Sequence, residues 1–272
     1  MALPALQEDA VYSPVKMMAM GRIRLLSFNI QVGIHTESFK HYLTRSWQHI
    51  LPTVTRFGHL DRIASVISDF DVVALQETDG GSIRSGFVNQ VKYLAERADF
   101  PYWYLQRNRD LGMLAQHGNG LLTRFKPYQM EDHKLPGKIP GRGAVLCEFS
   151  FGSESLCLVM MHLSLGKRDR LKQLAYIKDI IADFEHVILM GDMNVHLGHL
   201  LDESPLRDAG LLSAADAELH TYPSWRPQRS IDHILISSEL KVNHVATLDC
   251  RLSDHLPVAV DITLPGRIAA AL

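Results

Sequence analysis

The chain has 272 residues, 46% of them hydrophobic, which is enough apolar material to bury one large core or two smaller ones. Its formal net charge of −2 gives no general attraction to polyanions, and it contains no Lys/Arg block of the nucleic-acid-binding kind. No apolar run reaches the ~20 residues of a membrane span, and the N-terminus carries Glu8 and Asp9 without an apolar signal core. Cys147, Cys157 and Cys250 are odd in number, lack metal-ligand spacing and sit beside apolar runs, as buried thiols do in a reducing, cytoplasmic compartment.

Residues 1–21 read as a loose N-terminal extension, with Met17, Met18 and Met20 as alternative starts. Residues 22–272 read as one domain, because no linker, low-complexity stretch or internal repeat divides them. A short apolar run at 23–26 leads into Ser27, Phe28 and Asn29, and a polar, aromatic-rich insertion follows at 35–57. Leu60, Ile63, Ala64 and Ile67 then recur with helical spacing, and a turn at 69–71 opens a second apolar run at 72–75 that ends in Gln76-Glu77. The spacing of Val88, Val91, Leu94 and Ala95 predicts a helix over 87–98. Strands are predicted at 102–106, 119–123, 144–149 and 156–161, the last two joined as a hairpin by Gly152-Ser153 and the last ending in His162.

The densest basic run, 167–172, reads as the solvated first turns of a helix, which continues over 171–184 with Leu174, Ile177, Ile180 and Ile181 inward. An apolar run at 187–190 ends in Gly191-Asp192-Met193-Asn194. His196 and His199 have no carboxylate company and read as loop. Asp232 opens a further strand, whose next residue, His233, faces the other side and reads as structural. Asp254-His255 lies in a turn that Pro257 ends.

One strand ending in a polar residue carries no information, since every strand ends somewhere. Ends bearing Asn29, Glu77, His162, Asp192 with Asn194, and Asp254-His255 together describe an oxygen-rich site flanked by two imidazoles. Carboxylate and amide oxygens suit a hard cation, with Mg²⁺ or Mn²⁺ the natural occupants. A carboxylate such as Asp232 can fix the tautomer of His255 and free its other nitrogen for proton transfer. Arg142 and Arg226 are candidates to hold a second phosphate or a headgroup, and Arg170 with Gln173 to brace the site. Tyr222 and Trp225 read as loop-packing residues.

Taken in chain order, Asn29 in SFN, Glu77 in LQE, His162 in MMHL, Asp192 and Asn194 in GDMN, Asp232 in SIDHIL, and Asp254-His255 in SDHLP resemble the endonuclease/exonuclease/phosphatase superfamily. The resemblance runs from about Arg22 to Leu264. It implies an α/β fold, a four-layer sandwich of two packed mixed β-sheets with helices outside. It further implies that Asn29, Glu77 and Asp254 hold the metal, that Asp192 orients or deprotonates water, and that Asn194 donates to a phosphoryl oxygen. His255, held by Asp232, is then a general base or a phosphate-binding imidazolium, with His162 as the second histidine opposite it.

Two features depart from the nuclease members. Gln31 stands where exonuclease III-type enzymes have an acidic residue, and basic, aromatic-interleaved loops that track DNA are absent. The segments around Tyr222-Pro223-Ser224-Trp225 and Pro140-Gly141-Arg142-Gly143 resemble instead a bacterial branch allied to the C-terminal domain of calcofluor-white-hypersensitivity proteins. The expected activity is metal-dependent hydrolysis of a small or lipid-like phosphodiester. A DNA nuclease, a phosphomonoesterase and a non-catalytic binding module are the alternatives, and the oligomeric state is left open.

Overall fold

The computed structural model describes residues 21–33, 55–110, 116–138, 140–151 and 154–269. Residues 1–20 of the N-terminal extension, nearly all of the 35–57 insertion and the Gly152-Ser153 turn lie outside the described residues. The strands are β1 (Arg22–Asn29), β2 (Val72–Asp79), β3 (Tyr102–Asp110), β4 (Gln116–Thr123), β5 (Gln129–Lys134), β6 (Gly143–Phe151), β7 (Glu154–His162), β8 (His186–Asp192), β9 (Leu211–Ser213), β10 (Asp232–Ser237), β11 (Lys241–Thr247) and β12 (Val258–Thr263). The helices are α1 (Thr55–Ile67), α2 (Gln90–Arg97), α3 (Lys167–Ile180), α4 (Leu197–Leu201) and α5 (Gly266–Ala269).

The strands form two six-stranded sheets, ordered β11-β12-β1-β2-β4-β3 and β5-β6-β7-β8-β10-β9. Each sheet has one parallel pair at its centre, β1 with β2 and β7 with β8, and antiparallel neighbours outward. Both faces of the central strands are covered, which explains why they read as unbroken apolar runs. Leu25, Ala74 and Leu121 of the first sheet meet Leu158, Met160, Ile188, Met190 and Ile234 of the second in the layer between the sheets. Leu26, Phe28, Val73 and Leu75 point the other way and bury the apolar stripes of α1 and α2, through Leu60, Ile63, Ile67, Val91 and Leu94. Val159, Met161, Val187 and Leu189 do the same for α3 and α4 through Leu174, Ile177 and Leu200. The result is the expected α/β/β/α sandwich.

Several boundaries differ from the sequence reading. The helix expected from 87 starts at Gln90, because Phe87 has a left-handed φ of 63° and Asn89 caps α2 by accepting from the Lys92 backbone N–H at 3.1 Å. Helix α3 begins at Lys167, so the basic run is its first turn, and it ends at Ile180 rather than 184. Strands β5, β9, β11 and β12 are not among those expected from the sequence. They lie at or beside sheet edges, and β5 and β11 have no clean apolar alternation. Among the described residues no helix is long and apolar enough to cross a membrane.

Candidate active site

The sheets bring the polar strand ends together at one edge of the sandwich. On the first sheet, Asn29 at the end of β1 lies in register with Gln76 of β2. Between Leu75 and Thr78 the pairing of β2 with β4 slips, so that Gln76 and Glu77 stand opposite the single residue Asn119. This bulge puts Glu77 at φ 56°, a left-handed conformation that costs a residue with a Cβ about 1 kcal/mol or more. It takes the Glu77 carboxylate out of the ordinary strand alternation and into the electrostatic range of Asp192, Asp254 and Arg142.

On the second sheet one lateral row of paired residues runs Gly143, His162, Asp192, Asp232. Gly191, just before Asp192, has φ +148°, and a Cβ there would sit 1.9 Å from the Met161 carbonyl oxygen, so only glycine fits. Asp192 is almost wholly buried. Its Oδ2 accepts from Asn29 Nδ2 at 3.1 Å across the gap between the sheets, and its Oδ1 accepts from the Asn194 backbone N–H at 3.0 Å. Asn194, with φ 53°, donates one amide hydrogen to the Leu163 carbonyl at 3.0 Å, leaving a second for a ligand.

Two imidazoles flank Asp192, with Nε2–Oδ2 separations of 3.4 Å for His162 and 4.0 Å for His255. His255 Nδ1 donates to Asp232 Oδ2 at 2.8 Å, and Thr221 Oγ1 donates to the same oxygen. The ring of Tyr222 lies against that of His255, with centroids 4.9 Å apart. Burial opposes charge on His255, but the charge and hydrogen bond of Asp232, reinforced by Asp192 and Asp254, outweigh it and raise its pKa to about 10. His162 goes the other way: burial first, then the Arg142 guanidinium at its Nε2, hold it well below the ordinary histidine value. Asp192 is pushed up to about 7 by burial and by the charge of Asp232. One imidazole is therefore charged at neutral pH and the other neutral, on either side of a carboxyl group poised near neutrality.

Burial, and next the charge of Glu77 against the pull of His255, lift Asp254 to about 6. Glu77 and Asp254 lie within electrostatic reach of each other, two carboxylates suit a hard cation, and a cation between them would relieve their repulsion. Among the described residues, three ligating atoms of His, Cys, Asp or Glu come within 4.8 Å of one another at Asp192-Asp232-His255 and at Glu154-Glu185-His186. The first group is a hydrogen-bonded, protonated pair beside a carboxyl, and a charged imidazole has no lone pair to offer a metal. The oxygen donors that a hard cation calls for are thus the Glu77 and Asp254 carboxylates, with the Asn29 amide oxygen accepting from the Gln31 backbone N–H at 3.1 Å.

Of the three arginines singled out by sequence, only Arg142 enters the site. Arg170 Nη1 donates to the carbonyls of Ser164 and Leu165 at 3.0 and 2.8 Å, and Gln173 bridges Ser164 and Pro136, so both brace the loops around His162. Arg226 is exposed. His233 is structural, its Nε2 donating to the Val195 carbonyl at 2.7 Å. The expectation that His196 and His199 lack carboxylates is corrected: His199 Nδ1 lies 2.9 Å from Glu203 one helical turn on, and His196 caps α4 with Glu218 4.0 Å away. Thr221, the second partner of Asp232, was not foreseen, since nothing in the loop sequence marks it.

The chain matches the Endonuclease/Exonuclease/phosphatase family over residues 26–255. It belongs to that family. Solved structures share the fold at low identity. One is an endonuclease/exonuclease/phosphatase from Beutenbergia cavernae, with a TM-score of 0.66 and 21% identity over 90% of this chain and 72% of that one. A mannosyl-6-phosphatase from Bacteroides thetaiotaomicron gives a TM-score of 0.65 at 18% identity, over 88% and 99% of the two chains. TDP2 from D. rerio, complexed with a single-strand DNA product, gives 0.65 at 20% identity, over 89% and 98%. No curated protein matches the chain. None of these family relatives singles out the calcofluor-white-hypersensitivity branch.

Proposed function

We propose that the protein is a divalent-metal-dependent phosphoric ester hydrolase whose preferred substrate is a small phosphodiester, acting in the cytoplasm. The observation that carries this reading is the asymmetric pair of imidazoles, one charged on Asp232 and one neutral against Arg142, around Asp192 and opposite Glu77 and Asp254. Glu77, Asp254 and Asn29 would hold the cation, which when bound would neutralise charge on the phosphoryl oxygens. Asp192 orients the attacking water and takes its proton, a task suited to a pKa of about 7, while the P–O bond to the leaving oxygen breaks and that oxygen is protonated from solvent. His255, charged at neutral pH, offers its Nε2–H to a phosphoryl oxygen, the imidazolium role rather than that of a base. Arg142 and the free amide hydrogen of Asn194 add donors to the same group.

The low net charge and the absence of a Lys/Arg track support a small ester over duplex DNA, because binding several phosphates takes several cations on one face. The named relatives, a sugar phosphatase and a protein bound to a DNA product, differ in what their names say they act on or bind. The deciding experiment is a Mg²⁺/Mn²⁺ panel with bis-p-nitrophenyl phosphate, p-nitrophenyl phosphate, plasmid DNA, abasic duplex and lysophospholipids. The diester should be hydrolysed in a chelator-sensitive way, with weak DNA nicking at physiological salt. Turnover of the monoester alone makes the protein a phosphomonoesterase, salt-sensitive DNA cleavage abolished by His255→Ala makes it a nuclease, and inactivity throughout makes it a binding module. Lysophospholipid turnover decides whether the diester is lipid-like.

A further inference from the structure

A cavity of about 230 Å³ lies between the first turns of α3 and the segment running from Val195 through α4 to Ser204. These stretches of chain follow His162 and Asn194, but no residue of the hydrolytic centre lines the cavity. Lys167, Arg170, Leu171 and Leu174 stand at i, i+3, i+4 and i+7 and so share one face of α3. Leu174 and Val195 are buried and, with Leu171, make an apolar wall.

The charges around that wall do not balance. Lys167 and Arg170 bring two cations to the lining, against Glu203 as its one acid. Glu203 is already engaged twice, by Lys167 Nζ at 3.5 Å and by His199 Nδ1 at 2.9 Å. Arg170 spends Nη1 on the carbonyls of Ser164 and Leu165, while its Nε and Nη2 make no hydrogen bond among the described residues. Burial lowers its pKa with no acid to offset the effect. A guanidinium drawn partly out of water without a counter-charge is a cost that an anionic ligand would remove. The Nε–Nη2 edge is the one that grips a carboxylate with two parallel hydrogen bonds. One surplus positive charge matches a monoanion, which favours a carboxylate over a phosphate dianion. The volume falls below the roughly 300–1,000 Å³ of drug-sized sites, so the apolar body must be short.

We propose that this cavity binds a small organic monocarboxylate with a short apolar body, at a site separate from the hydrolytic centre. The carboxylate lies on the free edge of Arg170 with Lys167 beside it, and the body rests on Leu171, Leu174 and Val195. Because Nη1 of the same guanidinium holds the loop after His162, occupancy steadies that loop.

The test is calorimetric titration of the full chain with hexanoate, with acetate and hexanol as the head and the body alone. Hexanoate should bind at one equivalent with a Kd of about 1 mM or tighter, and neither control should saturate below about 10 mM. Arg170→Gln should weaken hexanoate by about tenfold or more. Since Arg170 also braces a loop beside the hydrolytic centre, Leu171→Glu is the companion variant. It sets a carboxylate of the chain's own against Arg170, and should abolish hexanoate binding while leaving hydrolysis at the parent rate. Hexanoate should not raise the KM for bis-p-nitrophenyl phosphate. The calorimetry decides the matter whether or not the protein proves to be a hydrolase. No saturation by hexanoate, acetate binding as tightly, equal affinity in the parent and Leu171→Glu, or a KM that climbs with hexanoate each overturns the proposal.

Discussion

His255 Nδ1 lies 2.8 Å from Asp232 Oδ2 while its Nε2 faces Asp192 Oδ2 at 4.0 Å, so a single ring links two carboxylates that β8 and β10 hold in register. His255→Ala should therefore lower kcat by roughly 10²–10⁴ in steady-state assays. Asp232→Asn should cost less, because it disturbs orientation and lowers the pKa of His255 without removing the ring. His162→Ala belongs in the same 10²–10⁴ range; a parent-like rate would reassign His162 as a core histidine.

The pH profile follows from the same groups. Asp192 titrates at about 7 and His255 at about 10, so between them the first is a carboxylate and the second an imidazolium. We expect kcat/KM to rise as pH climbs through about 7 and to fall as it approaches about 10. A bound cation favours the Asp192 carboxylate and moves the acid limb lower, never higher. A rate that increases through the alkaline limb would make the neutral form of His255 the active one and restore it as the base.

Asp254 gives a stability test independent of turnover. Its folded pKa of about 6 lies above the unfolded value of 3.8, so the unfolded chain loses the proton first as pH rises. The resulting cost to folding grows between those values and is fully present above about 6. Asp254→Asn keeps the acceptor for Ser253 Oγ and removes that cost. In chelator above the folded pKa it should stabilise the protein by about 1–3 kcal/mol in urea denaturation. Saturating Mg²⁺ should stabilise the parent and not the variant. Equal Mg²⁺ stabilisation of both would remove Asp254 from the metal site.

Gly191→Ala should destabilise by on the order of 3 kcal/mol or more, since its Cβ would overlap the Met161 carbonyl from a φ that side chains avoid. A thermal melt within a few degrees of the parent would show that β7 and β8 can part at this point, against the close register of Met161 with Gly191.

What could be read from the sequence tracks how burial writes itself into it. Strands β1, β2, β7 and β8 are apolar on both faces, so each stands out as a run, and the polar residue that ends it stands out too. Edge strands such as β5 keep contact with water, and their alternation is lost among polar residues. The left-handed turn at Phe87 is invisible to hydrophobic spacing, which is why α2 was begun too early. The Arg142–His162 and Thr221–Asp232 contacts depend on where loops return, and spacing along the chain says nothing of that. The His199–Glu203 pair, by contrast, follows from i,i+4 spacing alone.

The hydrogen bond from Asn29 to Asp192 joins residues carried on opposite sheets. Asn29 and Glu77, the proposed cation holders, and Asp192, the proposed water handler, thus belong to separate slabs, and their alignment is a thickness set by the side chains packed between them. Met160 and Met190 lie in that filling, each two residues in from the reacting edge at His162 and Asp192. Shaving either one would let the slabs settle toward each other, and the change would surface as slower turnover in a protein whose every catalytic residue is intact.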